Sequence, residues 1–132
     1  MHNIIKFFCR KVVTSHFPVQ SRMEAKVSLA FISWLENKGF LSRCSEEEAA
    51  SAMELTREEL ASFCRESYGK PFRQLRKELR IREAMVLMEE NPGYSLECLG
   101  DLVGIPDKSN FRRQFHDVTG YTPSEWKDRK KK

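Results

Sequence analysis

From residue 21 onward, apolar residues recur every three to four positions, the period of an α-helix, and the runs are separated by Gly, Pro and short polar breaks. Ser21-Arg22-Met23-Glu24 reads as a capping box opening a helix with Met23, Val27, Ala30, Phe31 and Trp34 on one face; Asn37-Lys38-Gly39 stops it. Ser45 with Glu48 opens a short helix carrying Ala49, Ala50 and Met53. Thr56 with Glu59 follows one turn later and opens a helix from Arg57 to about Ser67 that buries Leu60, Phe63 and Cys64, with Gly69 after it. The longest pattern runs from Phe72 to about Glu90, with Phe72, Leu75, Leu79, Ala84, Leu87 and Met88 as its buried side, and Asn91-Pro92-Gly93 breaks it. Ser95 caps a short helix carrying Leu96, Leu99, Gly100 and Val103.

The stretch Gly104–Lys127 completes the pattern. Gly104 suits a turn that needs a positive φ, and Asp107 is a good N-cap. Phe111, Phe115 and Val118 share one face, which turns Lys108, Ser109, Arg112 and Arg113 mostly outward. Gly120 ends this helix, and Thr122-Pro123-Ser124-Glu125 is a capping box with Pro at the first helical position of another. An apolar-backed short helix with a basic, hydroxyl- and amide-bearing outer face is what a DNA recognition helix needs, although charged outer faces are also ordinary solvated surface.

An internal repeat changes that balance. A shift of 51 positions superposes Thr56 on Asp107, Leu60 on Phe111, Cys64 on Phe115 and Gly69 on Gly120. Ahead of the turn the better shift is 50, which puts Ala49 on Leu99, Ala50 on Gly100 and Met53 on Val103, so the second copy has one extra residue in its turn. Ala50 and Gly100 are both small, as a close helix crossing requires. Each half is a support helix, a tight turn and a docking helix, which is a helix-turn-helix. A joining helix of about 18 residues is roughly 27 Å long. With helix widths added, the expected separation of the docking helices approaches one turn of B-DNA, about 34 Å, so one chain is expected to read two successive major grooves without dimerising.

Charge and chemistry narrow the class. The formal net charge is modest at +4 but sits at the ends. Residues 105–132 hold Lys108, Arg112, Arg113, Lys127, Arg129, Lys130, Lys131 and Lys132 against Asp107, Asp117, Glu125 and Asp128, and residues 1–44 are also basic, so both ends are placed to meet a polyanion or to stay hydrated. Cys9, Cys44, Cys64 and Cys98 form no CxxC pair and have no His at zinc-ligand spacing; they are expected to be free thiols in a reducing cytoplasm, with no metal and no cofactor. Residues 1–20 place Ile4, Phe8 and Val12 at helical spacing beside Lys6, Arg10 and Lys11. They read as an extra docked helix or a linker, with a basic amphipathic helix for a partner or membrane surface as the other reading. These cations also break up any signal-peptide core, and no apolar run approaches the roughly 20 residues that span a bilayer. His2, His16 and His116 stand in unrelated contexts, and no nucleophile–base pair or phosphate loop is present, so no catalysis is expected.

The run from Glu48 to Lys127 resembles the DNA-binding domain of the AraC/XylS transcription regulators. The motifs that carry the resemblance are Leu79-Arg80-Ile81-Arg82-Glu83-Ala84-Met85-Val86-Leu87-Met88 in the joining helix and, in the second half, Ser95-Leu96, Leu99-Gly100, Val103-Gly104-Ile105, Phe111, Arg113, Phe115, Thr119-Gly120 and Thr122-Pro123-Ser124. The resemblance implies an all-α, homeodomain-like tandem of about seven helices, with Ser21–Gly39 as the family's first helix. It divides the chain into an extension or linker (1–20), a first helix-turn-helix subdomain (21–71), a connecting helix (72–92) and a second subdomain with a basic tail (93–132). It also implies that Lys108, Ser109, Asn110, Arg112 and Arg113 face DNA from the second docking helix, and Arg57, Glu58, Ala61 and Ser62 from the first. The implied partner is double-stranded DNA, bound as a monomer, together with RNA polymerase or another regulator.

Departures from the family pattern are Gly100 for the usual Ala, Ile105 for the usual Phe, and Cys64 for the usual Phe, which predicts looser packing in the first half. Glu58 is repelled by phosphates but can accept from cytosine N4, and Ala61 offers only a methyl group, so the first docking helix is expected to bind weakly or mainly to position the domain. Only about 44 residues precede the first motif, fewer than an effector barrel needs, which resembles the small stand-alone members or a fragment of a longer regulator. Two functions remain in view: a sequence-specific transcription regulator, and a protein-interaction module that modulates another regulator without binding DNA.

Overall fold

A computed structural model describes residues 22–130. The amphipathic segment expected in residues 1–20, Ser21 of the first capping box and the side chain of Met23 lie outside the described part. Seven α-helices occur among the described residues: α1 Arg22–Glu36, α2 Glu46–Ala52, α3 Arg57–Tyr68, α4 Phe72–Glu90, α5 Leu96–Leu102, α6 Lys108–Thr119 and α7 Pro123–Lys130, with a 3₁₀ turn at Gly39–Leu41. No strand occurs among these residues, and the fold is all-α and homeodomain-like. The described chain packs as two compact units, one up to Arg76 and one from Lys77.

The first unit is built on aromatic rings. Phe31 is fully buried, with ring centroids 5.1 Å from Phe63, 5.4 Å from Trp34 and 5.8 Å from Tyr68, and Trp34 lies 5.3 Å from Phe72. Aromatic pairs at such spacing contribute about 0.5–1.5 kcal/mol each beyond area burial. Leu35, on the other flank of α1 from Ala30, is fully buried as well, whereas Ala30 is only half-buried. Cys64 is fully buried in this core, and desolvation pushes its thiol up to about 12, so it behaves as a small hydrophobe with no thiolate chemistry. Cys44 and Cys98 are free thiols, and Cys9 lies outside the described residues. The loop before α2 is pinned from α4: Arg76 Nη1 donates to the Cys44 carbonyl at 2.7 Å while its guanidinium lies 5.2 Å from the Phe72 ring centroid. That bond sets the entry to Ser45, the N-cap of α2.

The second unit packs α5, α6 and α7 with the later turns of α4. Leu99, Phe111, Phe115 and Ile81 are fully buried, and Trp126 of α7 meets Phe115 edge-on at 6.3 Å. Lys77 pairs with Asp117 at 3.8 Å. Thr119 Oγ1 donates to the Phe115 carbonyl at 2.8 Å and accepts from the Tyr121 N–H at 3.1 Å, which shapes the turn into α7. Two cations of the C-terminal stretch are held on this unit. Lys127 Nζ donates to the Tyr94 carbonyl at 3.4 Å, and Arg129 lies over the Tyr121 ring and donates Nη1 to its hydroxyl.

The buried side expected for α4 needs correction. Phe72, Leu75, Leu79, Ala84 and Met88 are buried, but Leu87 is only half-buried, and Ile81 is fully buried instead. At about 100° per residue, Ile81 lies roughly half a turn around the axis from Leu79, which is buried in the same unit. A helix that buries more than one side carries no single apolar stripe, so a one-face reading misses residues such as Ile81.

The repeat is present in backbone detail. Each support helix hands over to its turn by the same bond, Leu55 N–H to the Ala50 carbonyl at 2.9 Å and Ile105 N–H to the Gly100 carbonyl at 2.7 Å. Each turn passes through the left-handed region, Glu54 at φ 58 and Gly104 at φ 82. Correspondence at a shift of 50 therefore holds through Leu55 and Ile105, and the extra residue of the second copy is Pro106, just ahead of the Asp107 cap.

Candidate nucleic-acid interface

Three local devices aim α6. Asp107 Oδ1 accepts the Asn110 N–H at 2.7 Å and closes the helix start. Phe111 and Phe115, with no exposed surface, fix its rotation. Gly120, at φ 81, ends it. With that face buried, Lys108, Ser109, Arg112 and Arg113 are exposed and Asn110 is half-buried on the flank. His116 is exposed one turn after Arg112 and Arg113.

The flank carries a network. Asn110 Oδ1 accepts from Arg113 Nη2 at 2.7 Å and from Gln114 Nε2 at 3.1 Å. Gln114 was not among the sequence candidates; the signal for it was its i+4 spacing from Asn110, a pairing that recurs on helices. An arginine fixed by a side-chain acceptor has fewer rotamers to lose on meeting a polyanion than a free one.

The outer face of α3 has the same plan and a different chemistry. Thr56 and Glu59 form the capping box, with bonds of 2.8 Å and 3.1 Å. Arg57, Glu58 and Ser62 are exposed and Ala61 is half-buried. Arg57, the cation among these four, faces the support helix: its Nε lies 3.6 Å from Glu46 and its Nη1 lies 3.8 Å from Glu47. Exposed pairs of this kind contribute about 0–1 kcal/mol, so phosphate could still compete for Arg57, but it would have to displace two carboxylates. Glu54, Glu58 and Glu66 are exposed, as is Arg65 in the last turn of α3. The structure thus carries the five α6 candidates on one cationic helix and the four α3 candidates on a helix of mixed charge whose first cation, Arg57, is paired with carboxylates.

Among the described residues, no three His, Cys, Asp or Glu side chains come together as a metal site, and no helix is long and apolar enough to cross a membrane. No curated protein matches the chain. A family model described as a helix-turn-helix domain matches residues 49–129, from the support helix of the first motif through α7. The chain belongs to the AraC-type helix-turn-helix family, a family of DNA-binding transcription-regulator domains.

Proposed function

We propose that the chain is a sequence-specific regulator in which α6 does most of the reading and α3 mainly positions the domain, the two entering successive major grooves of one duplex. The observation that carries this reading is the exposed Lys108–Ser109–Arg112–Arg113 face of α6 over a fully buried Phe111–Phe115 backing. Lys108 and Arg112 suit phosphates, and Arg113 suits a guanine edge. On α3, Arg57 is already engaged by Glu46 and Glu47, while Glu58 and Ser62 offer acceptors suited to cytosine N4. The two repeats placed in tandem on one chain support binding as a monomer to an asymmetric site.

Selection of bound duplexes from a randomised pool by the full chain tests this. The expected product is an asymmetric motif in two blocks about one helical turn apart, with the more constrained block read by α6. Affinity for it should fall roughly 10³–10⁵-fold between 50 and 200 mM salt if about 6–10 phosphates are contacted. Absence of any enriched motif would contradict the proposal.

One observation favours a second reading: Glu46 and Glu47 engage Arg57 beside Glu58, which makes the start of α3 a poorer match for phosphate than α6 and a fair match for a basic protein surface, on RNA polymerase or another regulator. A stable protein complex in a pull-down, with no shift of any duplex, would select it.

A further inference from the structure

The amide oxygen of Asn110 already has two donors. Arg113 has no acceptor atom, so the Asn110 atom facing its Nη2 at 2.7 Å is the oxygen, and Gln114 Nε2 fills the second position at 3.1 Å. An asparagine reads adenine by accepting from N6 and donating to N7 at once. With both lone pairs of Oδ1 engaged, Asn110 has no acceptor for N6 and keeps only its Nδ2 donors. Lys108, Arg112 and Arg113 are donors as well, and Arg113 has N–H groups beyond the one directed at Asn110. The Asp107 carboxylate caps the helix, and Ser109 supplies a hydroxyl that works either way. In the major groove, guanine presents two adjacent acceptors, O6 and N7, where adenine presents one acceptor and one donor.

Resting on the DNA-reading role proposed above for α6, we infer that Gln114 is a positioning residue that converts Asn110 into a donor-only reader, so that α6 selects guanine over adenine at the base pair Asn110 and Arg113 meet. Gln114 does this from the flank, half-buried, one helical turn from Asn110. Removing its amide releases one lone pair of Asn110 and restores the acceptor that adenine N6 requires.

Selection from a randomised duplex pool with the full chain, compared among wild type, Gln114→Leu and Asn110→Asp, tests this. Wild type should enrich guanine at the position, and Gln114→Leu should raise the adenine-to-guanine ratio there about tenfold, within the range one bidentate contact can discriminate. Asn110→Asp keeps the acceptors that hold Arg113 and removes the Nδ2 donors, so the preference contributed by residue 110 should turn away from guanine; Gln114→Met, which also lacks a donor for Asn110, takes the place of Gln114→Leu if that variant does not fold. A selected motif that is identical in wild type and both variants, or one with adenine at that position in wild type, overturns the inference and leaves the DNA-reading role standing. No motif with any of the three proteins overturns that role itself and the inference with it.

Discussion

The carbonyl oxygen of Ile105 stands 2.5 Å from the point where a side chain on Gly100 would begin. The same residues are joined by the 2.7 Å bond that ends α5, so the contact is backbone on both sides and no rotamer change relieves it. Gly100 is therefore required by its own turn even though Ala50 fills the equivalent place in the first copy without exposed surface. Gly100→Ala should destabilise the protein by about 1–3 kcal/mol through overpacking, read as a lower urea midpoint at unchanged slope. An unchanged midpoint would show that the turn relaxes at no cost.

Glu54 and Gly104 occupy the same turn position with φ 58 and φ 82. A side chain there costs roughly 1–2 kcal/mol, partly offset because glycine has more freedom to lose on folding. Glu54→Gly should be neutral or stabilise by up to about 1 kcal/mol, and Gly104→Ala should destabilise by about the same amount. Thermal denaturation of both variants checks the pair, and a loss of stability in Glu54→Gly would mean that the Glu54 side chain contributes more than its strain costs.

The buried hydroxyl of Ser67 makes no hydrogen bond. An unsatisfied buried hydroxyl costs about 1–3 kcal/mol, so Ser67→Ala should raise the unfolding midpoint despite the loss of an atom. A drop instead would imply a partner for that oxygen in solution.

The three capping boxes link stability to pH. Backbone and then side-chain hydrogen bonds from Ser45, Thr56 and Thr122 hold the carboxyls of Glu48, Glu59 and Glu125 below their ordinary value of 4.5. A carboxyl whose folded value is depressed stabilises the fold above its unfolded value and loses that contribution as pH falls through the folded one. Stability should therefore be level above about pH 5 and decline below the ordinary carboxyl range. Replacing all three with Gln keeps a cap acceptor, removes the titration and should flatten that decline in urea midpoints measured from pH 7 to pH 3.

Much of this fold was legible because its signals are local. The boxes at Ser45–Glu48, Thr56–Glu59 and Thr122–Glu125 form as their residue types dictate, since each needs only four consecutive residues. The left-handed turn at Gly104 and the buried faces of α3 and α6 follow for the same reason. Features that depend on residues distant in the chain were not legible. Ile81 is buried because α4 buries more than one side, and Trp126 because α7 folds onto Phe115. At the interface, the residue types on α6 could be read, but the capture of Arg57 by Glu46 and Glu47 depends on how α2 meets α3. Cys64 is fully buried, and the meeting of the Phe31, Phe63 and Tyr68 rings in the same unit is something that sequence spacing alone does not show.

The asymmetry between the two docking helices is the feature most open to direct measurement. Fluorescence anisotropy of the full chain on its selected duplex, with Arg113→Ala, Lys108→Ala and Ser62→Ala beside wild type, compares them. Arg113→Ala should weaken binding by about 1–3 kcal/mol and relax base preference at its position. Lys108→Ala should weaken all sequences alike and lower the salt slope by about one. Ser62→Ala should stay within about twofold of wild type, since it removes one exposed hydroxyl from the helix proposed mainly to position the domain. If all three variants bind as wild type does, or if Ser62→Ala costs the most, α6 is not the principal reading helix.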